Sequence, residues 1–118
     1  MILLLVMAAA SYLTPSQAIA QADTLDGKRV RIGGVVDLGT NSRCLWDSMS
    51  DYRKRGKRWD HVITLSEGAN IWKRRDRLNH RFVIVEGTLK RRFNEPDVID
   101  LWQCNDAGID QDSITTPN

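Results

Sequence analysis

The stretch from Arg29 to Leu38 alternates apolar and polar side chains and is broken by two consecutive glycines, Gly33 and Gly34. Val30, Ile32, Val36 and Leu38 share one face, with Arg31 and Asp37 on the other, which is the period of a half-buried strand. Paired glycines inside such a strand mark a bend, as where a strand coils around two sheets of a closed barrel. The chain must therefore build a strongly curved sheet. Further short strands fit that demand. Gly39-Thr40-Asn41-Ser42 is turn chemistry, and Cys44-Leu45-Trp46 reads as the return strand of a hairpin. A basic, irregular stretch from Ser48 to Arg58 leads to a third strand around His61 to Leu65. Asn70 is expected to cap a short helix, Ile71 to Leu78, with Ile71, Trp72 and Leu78 as its apolar stripe and Asn79-His80 as its end. Phe82-Val83-Ile84-Val85, apolar at consecutive positions and continuing to Leu89, should be the central strand. After a turn at Asn94-Glu95-Pro96, the last strand is expected from Val98 to Cys104.

The amino terminus carries a different signal. Met1 to Ala10 is apolar throughout, Ser11 to Pro15 is polar and helix-breaking, and Ala18-Ile19-Ala20 has the small-x-small pattern read by signal peptidase. Residues 1–20 are thus expected to be a cleavable signal peptide, with Ala18 and Ala20 marking the cleavage site. No Lys or Arg precedes the apolar run, so the positive region is reduced to the terminus itself. The alternative is a buried amino-terminal helix. The run is shorter than the roughly 20 residues of a membrane span, and no second one follows. No integral membrane segment is expected in the mature protein, which should be periplasmic or secreted. Residues 21–105 would form the barrel domain, and residues 106–118 an acidic, mobile tail with little to bury. An exported domain of this size has a thin stability margin.

Export also bears on Cys44 and Cys104, because an oxidising compartment lets a disulfide persist. A bridge between them would stabilise the fold by about 4 kcal/mol on the chain-entropy estimate. Two separate buried thiols are the alternative, since sequence does not show that the α-carbons lie close together. A zinc site from Cys44, Cys104, His61 and His80 lacks the close ligand spacing of structural zinc modules.

Five strands with a helix between the third and fourth, and a long bent first strand, match the OB-fold, an all-β five-stranded Greek-key barrel. Leu25-Asp26-Gly27-Lys28-Arg29-Val30-Arg31-Ile32-Gly33-Gly34, Cys44-Leu45-Trp46-Asp47-Ser48 and Arg81-Phe82-Val83-Ile84-Val85-Glu86-Gly87-Thr88-Leu89 carry a more specific likeness. They resemble segments of a group of small, exported, uncharacterised bacterial proteins of OB-like build. In that group the first segment opens the barrel and the last forms its fourth strand. The resemblance implies a fold and a compartment and no settled activity.

No phosphate loop, HExxH, CxxC or nucleophile elbow is present, and no cofactor or metal is called for. Asp60-His61 could orient an imidazole for acid–base work, but no nucleophile is evident beside it, and a non-enzymatic role is expected. Charge is the more informative feature. Between Arg53 and Arg92 there are 13 Lys or Arg against four acids, whereas from Phe93 onward there are six acids and no base. The bases cluster at 53–58, 73–77 and 90–92, in or beside connecting segments, which carry function on such scaffolds. Trp59 and Trp72 flank two of the clusters. Cations interleaved with aromatic rings suit a groove for an anionic polymer. The candidate ligand-binding residues are Arg53, Lys54, Arg55, Lys57, Arg58, Trp59, Trp72, Lys73, Arg74, Arg75, Arg77 and Arg91. The expected partner is an anionic glycan or lipopolysaccharide, with single-stranded nucleic acid less favoured outside the cytoplasm. Against this stand two bland readings: the tryptophans are core residues, and the acidic tail folds over the basic region. The alternative function is a protein-interaction or envelope-structural module with no polyanion ligand.

Overall fold

The computed structural model describes residues 11–39, 42–54, 59–93 and 104–117. Five strands close into a barrel: β1 (Arg29–Asp37), β2 (Cys44–Trp46), β3 (Val62–Leu65), β4 (Phe82–Lys90) and β5 (Gly108–Thr115), in the order β1-β2-β3-β5-β4 and back to β1. All neighbours are antiparallel except β3 and β5. This is the expected five-stranded Greek-key barrel of the OB-fold class. The alternation in β1 does what it predicts: Val30, Ile32, Val36 and Leu38 enter the core beside Leu45, Ile63, Leu65, Val83, Val85 and Leu89.

Short helices decorate the connections: α1 (Pro15–Ala20), α2 (Ala22–Leu25), α3 (Met49–Arg53) and α4 (Arg75–Leu78), with a 3-10 turn at Trp59–His61. The basic stretch after β2, expected to be irregular, contains α3, capped by the Ser48 hydroxyl accepting the Asp51 amide. The helix expected over Ile71 to Leu78 shrinks to its last turn. Ala69 and Asn70 both take φ 54°, the left-handed region, so Asn70 ends a turn instead of capping a helix. Ile71 and Leu78 are nevertheless buried, whereas Trp72, the third residue of the expected stripe, is exposed.

Two further expectations change. Of the segment Val98 to Cys104, residues 98–103 lie outside the described residues, and the fifth strand of the barrel is Gly108–Thr115. Residues 106–118 therefore do not form a tail with nothing to bury: Ile109 and Ile114 are 0% and 2% exposed. The two isoleucines are five positions apart, so strict alternation would place them on opposite faces. A register shift resolves this, since Gly87 pairs with Gln111 while Glu86 pairs with Ser113, leaving Asp112 as the extra residue that resets the parity. Gly87 makes the shift possible, because a β-carbon there would collide with the Asp110 carbonyl.

At the amino terminus, residues 1–10 lie outside the described residues. From Tyr12 onward the chain is part of the domain. Leu13 forms a parallel bridge with Ile32, its amide donating to the Arg31 carbonyl and its carbonyl accepting the Gly33 amide. Thr14 then caps α1 in a reciprocal capping box with Gln17, with Pro15 at the first helical position. Pro15 and Ala18 are buried against the barrel.

Candidate functional site

The outer face of β2 and β3, with the loops flanking it, is where OB barrels usually hold ligands. Here it is occupied. Cys44 and Cys104 form a disulfide with their α-carbons 5.8 Å apart. Trp46, Val62 and the half-buried Tyr52 of α3 pack around the bridge as a second small core. The Thr64 hydroxyl accepts the amides of Cys104 and Asn105 and donates to the Asn105 carbonyl. That buried hydroxyl fixes the returning chain against β3. The bridge also removes both thiolates from any zinc site.

The first basic cluster lies beside this face. Arg53 and Lys54 are exposed at the carboxyl end of α3, while Arg55, Lys57 and Arg58 fall outside the described residues. Trp59 is 60% exposed, its carbonyl accepting the Asn105 amide. The second cluster occupies the connection from β3 to β4. Trp72 is 37% exposed, and Lys73 and Arg77 are exposed. Neither tryptophan belongs to the core, which removes that bland reading.

Three of the candidate arginines have structural tasks. Arg74 donates to the carbonyls of Ala69 and Ile114, joining the left-handed turn to the end of β5. Arg75 donates through Nε to the Leu38 carbonyl at 2.6 Å. Arg91 pairs with Asp23 at 3.3 Å, and its amide donates to Asp26. Arg81, absent from the sequence-derived set, joins Arg74, Asp76, Arg77, Leu78 and Thr116 around an open cleft of about 470 Å³. Its position follows from the register that aligns Phe82 with Val35, and Val35 with Trp46, which no local pattern reveals.

Aromatic contacts join α3 to the segment that precedes β4. Tyr52, next to Arg53, stacks on His80, next to Arg81, with ring centroids 5.0 Å apart, and makes an edge contact with Trp46 at 6.1 Å. His80 has φ 65° and donates its amide to the Val36 carbonyl, so a backbone turn fixes its position. Trp59 lies elsewhere, beside α1 and Asn105.

Among the described residues, the acids of β5 pair with Arg29 and with Lys90 of the third basic cluster, and no ion pair joins them to the first two clusters. Asp112 makes a bidentate pair with Arg29 at 2.8 and 2.9 Å, and Asp110 lies 4.0 Å from Lys90. The Arg29 guanidinium holds the Asp112 carboxyl below its ordinary range. Among the described residues, no ion pair joins Arg53, Lys54, Lys73, Arg77 or Arg81 to a carboxylate.

His61 has a partner that its neighbour Asp60 does not suggest. Its Nδ1 is 2.8 Å from Asp47 Oδ2 and 3.9 Å from Asp51 Oδ2, while Asp60 stands 3.5 Å from Nε2. The hydrogen bond to Asp47 raises the imidazole pKa against the opposing effect of desolvation. These three ligand atoms lie within 4.8 Å of one another, but the carboxylates already have work. Asp47 Oδ1 accepts the Ser16 amide, and Asp51 accepts the Ser48 hydroxyl. The cluster is a junction between α1, α3 and the barrel. Compared with known proteins, the chain matches no family model and no curated sequence.

Proposed function

We propose that this is an exported, non-enzymatic OB-like module that binds an anionic polymer through the exposed cations Arg53, Lys54, Lys73, Arg77 and Arg81. The observation that carries the reading is the fate of the charges. Asp112 and Asp110 are used on β1 and β4, while these cations are exposed with no carboxylate ion pair among the described residues. Trp72 adds an exposed ring to the same connection, as groove binding of a polyanion requires. Export is supported by the disulfide, which persists in oxidising compartments, and no helix among the described residues is long and apolar enough to cross a membrane. The resemblance to small exported proteins of OB-like build points the same way.

The test is titration of the purified protein with heparin, lipopolysaccharide and a single-stranded oligonucleotide at two salt concentrations. Binding to at least one should weaken steeply with salt. Replacing Arg77 and Arg81 by Gln should leave the unfolding midpoint nearly unchanged, because exposed charges contribute little to stability. It should flatten the salt dependence by about one unit of slope per lost contact. Unaltered affinity and slope would transfer the function to a protein-interaction role.

A further inference from the structure

The connection from β3 to β4 ends in a braced turn. The amides of Arg77 and Leu78 donate to the Arg74 carbonyl, and the Arg81 amide donates to the Leu78 carbonyl, each at 3.0 Å. β1 clamps the end of this turn through three hydrogen bonds: His80 amide to Val36 carbonyl at 2.8 Å, Val36 amide to Arg81 carbonyl at 3.1 Å, and Leu38 amide to Asn79 Oδ1 at 2.8 Å. Leu78 is buried in the core and anchors the middle. The turn brings the guanidiniums of Arg74, Arg77 and Arg81 to one cleft of about 470 Å³, which Asp76 and Thr116, just past β5, also line. Arg74 is held by the carbonyls of Ala69 and Ile114, which fix the side chain without cancelling its charge. The cleft is thus set on a rigid part of the barrel, as a binding site with little ordering cost requires.

Among the described residues, no ion pair joins Arg74, Arg77 or Arg81 to a carboxylate, and Asp76, the acid at the rim, lies 3.7 Å from Arg75. Three guanidiniums against one carboxylate leave the lining with a net positive charge of two. Guanidiniums take oxyanions through paired N–H donors, and the ligand's own charge then sorts one oxyanion from another. A carboxylate or a sulfate ester carries a single negative charge. A phosphate monoester carries about −1.5 to −2 at neutral pH, with three strong acceptor oxygens, and so matches the lining best. Leu78 is the one aliphatic side chain of the cleft, which offers no apolar channel for an acyl chain. Its volume of about 470 Å³ exceeds what a phosphate alone needs and leaves room for the sugar ring that bears it.

We infer that this cleft is the subsite for a phosphate monoester carried on a saccharide. The inference rests on the polyanion reading and narrows it to a phosphorylated glycan, held at its phosphate by Arg74, Arg77 and Arg81. The experiment is titration of the purified full chain, disulfide intact, with glucose 6-phosphate, glucose 6-sulfate and glucuronate at neutral pH and low salt, followed by amide chemical shifts. Glucose 6-phosphate should bind about tenfold or more tightly than the other two, with shifts centred on residues 74–81. Arg77→Gln and Arg81→Gln, at exposed positions, should each weaken it by about tenfold. Asp76→Asn should tighten it, and Lys90→Gln, which removes a charge that does not line the cleft, should leave it unchanged. Equal affinities for the three sugars, shifts centred elsewhere, or an equal loss in Lys90→Gln would each overturn the inference. Binding to phosphatidic acid vesicles without binding to glucose 6-phosphate would overturn it too, assigning the cleft to a lipid surface. Salt-sensitive heparin binding without a preference for glucose 6-phosphate would remove the subsite and keep the polyanion reading. Glucose 6-phosphate bound at residues 74–81 by a protein that takes no polymer would keep the subsite and remove that reading.

Discussion

Removing the disulfide should be the most damaging single covalent change available to this fold. Cys44 and Cys104 are separated by 60 positions, so the bridge closes a long loop in the unfolded chain. The chain-entropy estimate for that loop is about 4 kcal/mol at 25 °C. Domain stabilities run from about 5 to 15 kcal/mol, so this is a large share. At roughly 4–8 °C per kcal/mol for a domain of this size, the melting temperature should fall by about 15–30 °C. The perturbation is reduction by a phosphine, paired with the double substitution Cys44→Ala/Cys104→Ala. The substitution separates the covalent link from the reagent. Thermal unfolding followed by circular dichroism reads the outcome, and thiol labelling confirms the redox state. Native contacts do not rescue the loss. Thr64 still holds Cys104 and Asn105 through three hydrogen bonds, but the entropic effect acts on the unfolded chain. Superimposable melting curves for oxidised, reduced and double-Ala protein would refute the reasoning.

Two smaller perturbations probe other parts of the structure. The Asp47 hydrogen bond raises the His61 pKa, so the folded state favours the charged ring. That stabilisation is complete below the ordinary histidine value of about 6.5 and is lost as the pH rises through the raised folded value. The urea midpoint should therefore decline between mildly acidic and mildly alkaline pH in the parent protein and stay flatter in His61→Gln, and equal slopes would discount the junction. Ile114→Ala, in the segment expected from sequence to be a mobile tail, should cost about 2–5 kcal/mol as a core truncation. An unchanged urea midpoint would remove β5 from the barrel.

Patterns set by neighbours along the chain were legible. The alternation of β1 required only local periodicity, and β2, β3 and β4 followed from short apolar runs between turn signals; residues 40 and 41 of the expected turn lie outside the described residues. Those features determined an all-β barrel. Thr14 to Gln17 form a capping box where the local composition predicts a helix-breaking stretch ahead of the peptidase pattern at Ala18 and Ala20. The structure packs that segment on the barrel, where a β-carbon on Gly33 would meet Tyr12 and one on Gly34 would meet Pro15. The fifth strand was hidden because its core residues are out of phase, and the shift that rephases them belongs to the pairing of β4 with β5. The basic clusters could be counted but not sorted. Arg74 and Arg75 are consumed by carbonyls of residues 114 and 38, whereas Arg77 and Arg81 face solvent, a difference decided by distant chain segments. Sequence determines what each segment can do alone; closure of the sheet decides which side chains have distant partners and which remain available to a ligand.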